Sequence, residues 1–68
     1  MQLTPVKSSN VAAIGYENGI LEVSFLNGSH YQYFHVPEPV YRDFIAAESK
    51  GKFVHQHLKN KYPYQKIS

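Results

Sequence analysis

Ser29-His30-Tyr31-Gln32-Tyr33-Phe34-His35-Val36 is the stretch whose reading decides the fold. Side chains on a β-strand alternate with a period of two, so Tyr31 and Tyr33 occupy one face of a strand. A chain of 68 residues must either bury two such rings or display them as a surface. Just upstream, Ile20-Leu-Glu-Val-Ser-Phe25 also alternates and puts Leu21, Val23 and Phe25 on one face. Asn27-Gly28 joins these two runs, and Asn18-Gly19 joins Ile20 to the earlier run Asn10–Tyr16. Asn-Gly between apolar runs is a strong hairpin signal. The expectation is a three-stranded antiparallel meander.

The facing of the tyrosines depends on register, because a slip of one residue exchanges the two faces. A two-residue turn at Asn27-Gly28 sets Phe25 opposite His30 and Val23 opposite Gln32, and both faces are mixed. A three-residue turn, Leu26-Asn27-Gly28 with Gly28 left-handed, sets Val23 beside Tyr31 and Leu21 beside Tyr33. Glu22, Ser24, His30 and Gln32 then share a polar face. The second register separates polar from apolar and is preferred, which makes the tyrosines mainly core. At the first hairpin, a two-residue turn sends Ile14 and Tyr16 inward beside Val23 and Leu21. The alternative would leave Ala13 and Gly15 to fill the core.

Pro37-Glu38-Pro39 ends the third strand and suits a helix start. Val40, Tyr41, Phe44, Ile45 and Glu48 then recur at helical spacing over about three turns. Gly51 is expected as a left-handed cap of this helix. A shorter helix follows from Lys52 to about Asn60, with Phe53, Val54, His57 and Leu58 as its apolar stripe and Lys61-Tyr62-Pro63 as its stop. Residues 1–9 read as a lead-in. The expected fold class is α+β, in the order β-β-β-α-α, with two C-terminal helices covering one sheet face. Its expected core is Leu21, Val23, Phe25, Tyr31, Tyr33, Val40, Phe44, Ile45, Phe53 and Leu58.

Length and composition bound the rest. The chain makes one domain, 1–68, near the lower size limit for a self-sufficient core. Cysteine is absent, which excludes disulfides, thiolate metal sites and a cysteine nucleophile. Six Tyr and four Phe supply the packing instead. There is no membrane-length apolar run and no leader-like start, so a soluble, cytoplasmic protein is expected. Net charge is +2, but no acidic residue follows Glu48, whereas Lys50, Lys52, Lys59, Lys61 and Lys66 do. A one-signed segment of this kind attracts a polyanion.

At this point Ser9-Asn10-Val11, Ala13-Ile-Gly-Tyr16, Leu21-Glu-Val-Ser-Phe25, Gly28, Tyr31-Gln-Tyr33 and Val36-Pro37 form an ordered set. It continues through Val40-Tyr41, Ala47-x-Ser49-x-Gly51 and Phe53. Together they resemble the KTSC domain, a short domain named after the C-terminal region of certain lysyl-tRNA synthetases. It also occurs as a stand-alone bacterial protein. The resemblance runs from about Lys7 to Tyr62 and puts the family's central Tyr-x-Tyr on Tyr31 and Tyr33. It implies RNA binding through the synthetase association. Nothing here resembles a synthetase catalytic region, so that activity is not implied.

For chemistry, His55-x-His57 is a poor metal pair, because a two-residue step on a helix turns side chains about 200° apart. No metal site or cofactor is expected. No serine, histidine and acid stand at a spacing that favours nucleophilic catalysis, and no catalytic residue is assigned. The function favoured is a non-enzymatic accessory domain that binds RNA through Lys50, Lys52, His55, Lys59, Lys61 and Tyr62. In it, lysines neutralise phosphates and an aromatic ring stacks on bases. Lys52, His55 and Lys59 can share one outward helix face. Arg42 is the one arginine, and no ribonucleoprotein sheet motif or Gly-x-x-Gly clamp is present. The competing reading is a protein-interaction or self-associating module using an exposed strand edge or Phe34, Ile20 or Tyr64. A monomer is the default state, with a weak homodimer as the alternative.

Overall fold

The computed structural model describes all residues, 1–68. Its sheet has five antiparallel strands in sequential order: β1 (Thr4–Pro5), β2 (Val11–Glu17), β3 (Ile20–Phe25), β4 (His30–Tyr33) and β5 (Tyr64–Lys66). Helix α1 (Glu38–Ala46) follows β4, and α2 (Lys50–Phe53) runs on into a π-helical turn, Val54–Leu58.

The architecture is α+β, but the three-stranded meander followed by two helices is corrected to a five-stranded sheet. The supposed lead-in supplies β1, which pairs with β2 at Thr4–Ile14 and Pro5–Ala13. The tail beyond the second helix supplies β5, paired with β4 at Tyr31–Lys66, Gln32–Gln65 and Tyr33–Tyr64. A meander of three strands leaves two open edges with unpaired N–H and C=O groups. Both chain ends fold back to fill them. Strands of two and three residues are too short to show an alternation, so neither is visible in the sequence.

The hairpins match the favoured registers. Asn18 and Gly19 take positive φ of 52° and 81°, and Ile14 pairs with Val23 and Tyr16 with Leu21. In the second hairpin, the Phe25 N–H donates to the Ser29 carbonyl across Leu26-Asn27-Gly28 at 2.8 Å. Gly28 has φ +95°, where a side chain would be strained. Leu21 therefore faces Tyr33, and Val23 faces Tyr31. On the opposite face the Gln32 amide donates to Glu22 at 2.9 Å, and His30 Nε2 stands 3.7 Å from the same carboxylate. Between Val11 and Ala13 the ladder is bulged at Ala12, which lets Val11 and Ile14 both turn inward.

The core unites the sheet residues Val11, Ile14, Leu21, Val23 and Tyr33 with Val36, Phe44, Val54 and Leu58. Phe25, Tyr31, Val40 and Phe53 pack against it half-buried. Ile45, expected in the core, is 42% exposed, because Phe44 alone of α1 is buried. The Tyr16 ring stacks on Tyr41 at 4.6 Å, and its hydroxyl donates to the Val36 carbonyl at 2.5 Å. That contact ties β2 to the chain entering α1. No helix is long and apolar enough to cross a membrane.

Gly51 is not a left-handed cap. It lies inside α2. Helix α1 ends instead at Ala47 in extended backbone, and the Lys50 ammonium donates to the Ile45 and Ala47 carbonyls at 2.9 and 2.8 Å. Ser49 is the N-cap of α2, accepting from the Lys52 N–H at 3.2 Å. The second helix thus begins at Lys50, ahead of the expected Lys52. What distinguishes Gly51 is proximity: a Cβ there would meet the Asn10 side chain, which would have to swing aside.

A candidate nucleic-acid interface beside the tyrosine sheet

Residues paired directly across antiparallel strands share a face. The pairing of β4 with β5 therefore sets Tyr64 beside Tyr33, and Lys66 beside Tyr31, on the core-facing side of the sheet. The ring centroids of Tyr31 and Tyr33 lie 6.4 Å apart, and each lies 5.9 Å from Tyr64. Phe25 meets Tyr31 edge-on at 5.8 Å. Tyr33 is buried at 4% exposure, Tyr31 is half-buried, and Tyr64 is 55% exposed. The family pair Tyr31 and Tyr33 forms a row along β4, and Tyr64 beside it reaches the surface. Burial, with the Tyr31 and Tyr64 phenols beside it, pushes the Tyr33 hydroxyl up to about 12.

A cleft of about 190 Å³ opens over this row, lined by Phe25, Tyr31, Tyr33, Val54, Lys59 and Tyr64. Phe25, Val54 and Lys59 also line a larger neighbour of about 550 Å³, together with Ser9, Asn10, Leu26, Asn27, Gly51 and His55. Lys59 reaches both because of the π-helical turn. Its N–H donates to the Val54 carbonyl five residues back at 2.8 Å, which rotates it relative to an α-helical course. None of the residues lining either cleft is acidic. All five acidic side chains lie elsewhere: Glu22 with Gln32, Glu38 with Arg42 at 3.2 Å, Asp43 in a separate depression, and Glu17 and Glu48 exposed.

The six sequence-chosen residues do not form one patch. His55 and Lys59 share the large cleft. Lys61 and Tyr62 line the depression beside α1 with Val40, Asp43, Phe53 and His57. Lys50 is committed to the end of α1; Lys52, His55 and Lys59 are all exposed, and of these three only His55 and Lys59 line the large cleft. His55 and His57 fall in different clefts, and His57 lies 4.7 Å from the Phe53 ring. Sequence reading kept Tyr64 for the competing interaction surface, counted Lys66 only within the basic segment and put Phe25 in the core. Only the pairing of β5 with β4 brings the first two to this surface.

The family model of the KTSC domain matches residues 7–62. The chain belongs to the KTSC domain family. A crystal structure of a KTSC domain protein from Yersinia pestis is similar over 98% of this chain and 97% of that one, at 41% identity and TM-score 0.89. A protein from Tsukamurella paurometabola is 40% identical over 62 residues, covering 88% of this chain and 92% of its own. A lysine–tRNA ligase from Trichormus variabilis is 40% identical over 48 residues, 71% of this chain but 9% of the ligase. This KTSC domain therefore matches a small part of that enzyme. Three residues that carry the family resemblance meet in the large cleft: the neighbours Ser9 and Asn10, and Gly51 from the distant second helix.

Proposed function

We propose that this KTSC domain is a non-enzymatic RNA-binding module whose contact surface is the paired cleft. The observation that carries the reading is the joining of an aromatic row to cations with no carboxylate between them. Tyr31 and Tyr64 offer ring faces for unpaired bases, while Lys59 and Lys66 offer ammonium groups for phosphates. The similarity to part of a lysine–tRNA ligase supports the same reading, since a module carried by such an enzyme works beside RNA. From the basic helix region Lys59 supplies the charge, and His55 lines the larger cleft beside it.

Self-association through an exposed strand edge is left with short edges, because β1 and β5, of two and three residues, are the outer strands of the sheet. The test is binding of labelled single-stranded RNA across a salt series, with Lys59→Ala, Lys66→Ala and Tyr64→Ala. Affinity should fall with salt and fall further in each variant. Binding that is absent, or indifferent to both salt and these substitutions, rejects the reading. A protein partner retained at high salt and lost on Tyr64→Ala would favour the interaction module instead.

A further inference from the structure

The large cleft contains a side chain that is held in place yet unused. Asn10 lies where β2, the 26–28 turn and α2 converge. Its carbonyl accepts from the Leu26 N–H at 2.9 Å, and its own N–H donates to Ser8 Oγ at 3.1 Å. The missing Cβ of Gly51 leaves the space its carboxamide occupies, so the group rests against α2 at the mouth of the cleft. No hydrogen bond within the protein uses that carboxamide. It presents a donor and an acceptor side by side to the cleft. Asn27 adds a second amide, whose oxygen accepts from the Ser29 N–H at 2.9 Å and whose NH₂ group is left over.

Phe25, Leu26 and Val54 give this space apolar walls, and Lys59 and His55 complete it. A volume of about 550 Å³ falls in the range of small-ligand sites. A flat heterocycle with a hydrogen-bonding edge, joined to a phosphate, satisfies walls, amide and ammonium together. An asparagine amide matches adenine in particular, pairing with its amino group and a ring nitrogen. In duplex RNA that edge is out of reach, so the base must be unpaired.

Building on the RNA-binding reading, we propose that this cleft seats one unpaired adenine of single-stranded RNA. The Asn10 amide reads the base, and Lys59 holds a neighbouring phosphate.

The experiment compares labelled oligo-A, oligo-C and a hairpin duplex in binding to the full chain and to Asn10→Ala, Asn10→Asp and Lys59→Ala. Asn10 is exposed and its structural bonds are made by its backbone, so these substitutions leave the fold in place, as circular dichroism will verify. Oligo-A should bind about tenfold tighter than oligo-C, and the duplex least. Asn10→Ala should erase that preference without changing the salt dependence, Asn10→Asp should erase it and also weaken every single strand by setting a carboxylate beside Lys59, and Lys59→Ala should weaken all single strands alike. Adenosine monophosphate should shift the amide resonances of Asn10, Gly51 and His55. Equal affinity for oligo-A and oligo-C, or a preference that survives in Asn10→Ala, overturns the adenine site. In that event continued sensitivity to Lys59→Ala leaves the RNA surface standing. No RNA binding at all overturns both.

Discussion

Single residues show how little spare packing the domain has. Tyr33 is buried against Leu21 and two other tyrosines, and truncating it should cost about 3–5 kcal/mol. Thermal unfolding of Tyr33→Ala will check this, and Tyr33→Phe should retain most of the stability. The raised ionisation of Tyr33 gives that pair a second use. The unfolded phenol ionises near its ordinary value of 10, the folded one near 12, so the folded state holds its proton more tightly. Stability should be intact below about pH 10 and decline as pH rises towards 12, by on the order of 2 kcal/mol. Urea midpoints between pH 8 and pH 11 should show this decline, and Tyr33→Phe should lessen it. Gly51→Ala sets a Cβ against the end of the exposed Asn10 side chain, which can swing aside, so the variant should keep its stability and shift the Asn10 side-chain amide resonances. Had Gly51 been a left-handed cap, Gly51→Ala would instead destabilise the domain.

Among the elements, β5 matters most to the proposed surface. Its three residues are all exposed, so little apolar burial holds it, and the ladder to β4 does most of the work. The Ile67 N–H donates to the His30 carbonyl at 2.7 Å. Ile67→Pro removes that donor and should fray the strand at a cost of about 1 kcal/mol. Amide exchange should quicken around β4 and β5 while α1 remains protected. RNA affinity should drop in the same variant, because Tyr64 and Lys66 lose their places. The π-helical turn is the other element to watch, since it delivers Lys59 to both clefts.

For the whole molecule, charge is sorted rather than abundant. A net charge of +2 would not predict a strong polyanion surface, yet no carboxylate lines the paired cleft. The consequence is a measurable salt dependence. Each phosphate neutralised on a single strand contributes a slope of about 0.7 in log affinity against log salt. Lys59→Ala and Lys66→Ala should each reduce the slope by about that amount, and Lys50→Ala should leave it unchanged, because its ammonium already serves the end of α1.

Much of the fold was legible because its signals are local. Asn18-Gly19 and Leu26-Asn27-Gly28 set their turns through backbone preference, and alternation over β3 and β4 then fixed the register and the inward face of the tyrosines. The start of α1 was equally plain in Pro37-Glu38-Pro39. The tertiary structure alone decided β1 and β5, the burial of Val11 and Val36, the exposure of Ile45 and the close approach of Gly51 to Asn10. It also decided the site, by placing Lys59, Tyr64 and Lys66 around Tyr31 and by drawing Lys50 away. These features depend on which backbone edge or side chain lies nearby after folding. A turn is encoded within a few consecutive residues, whereas an edge pairing or a shared cleft exists only once distant segments have met.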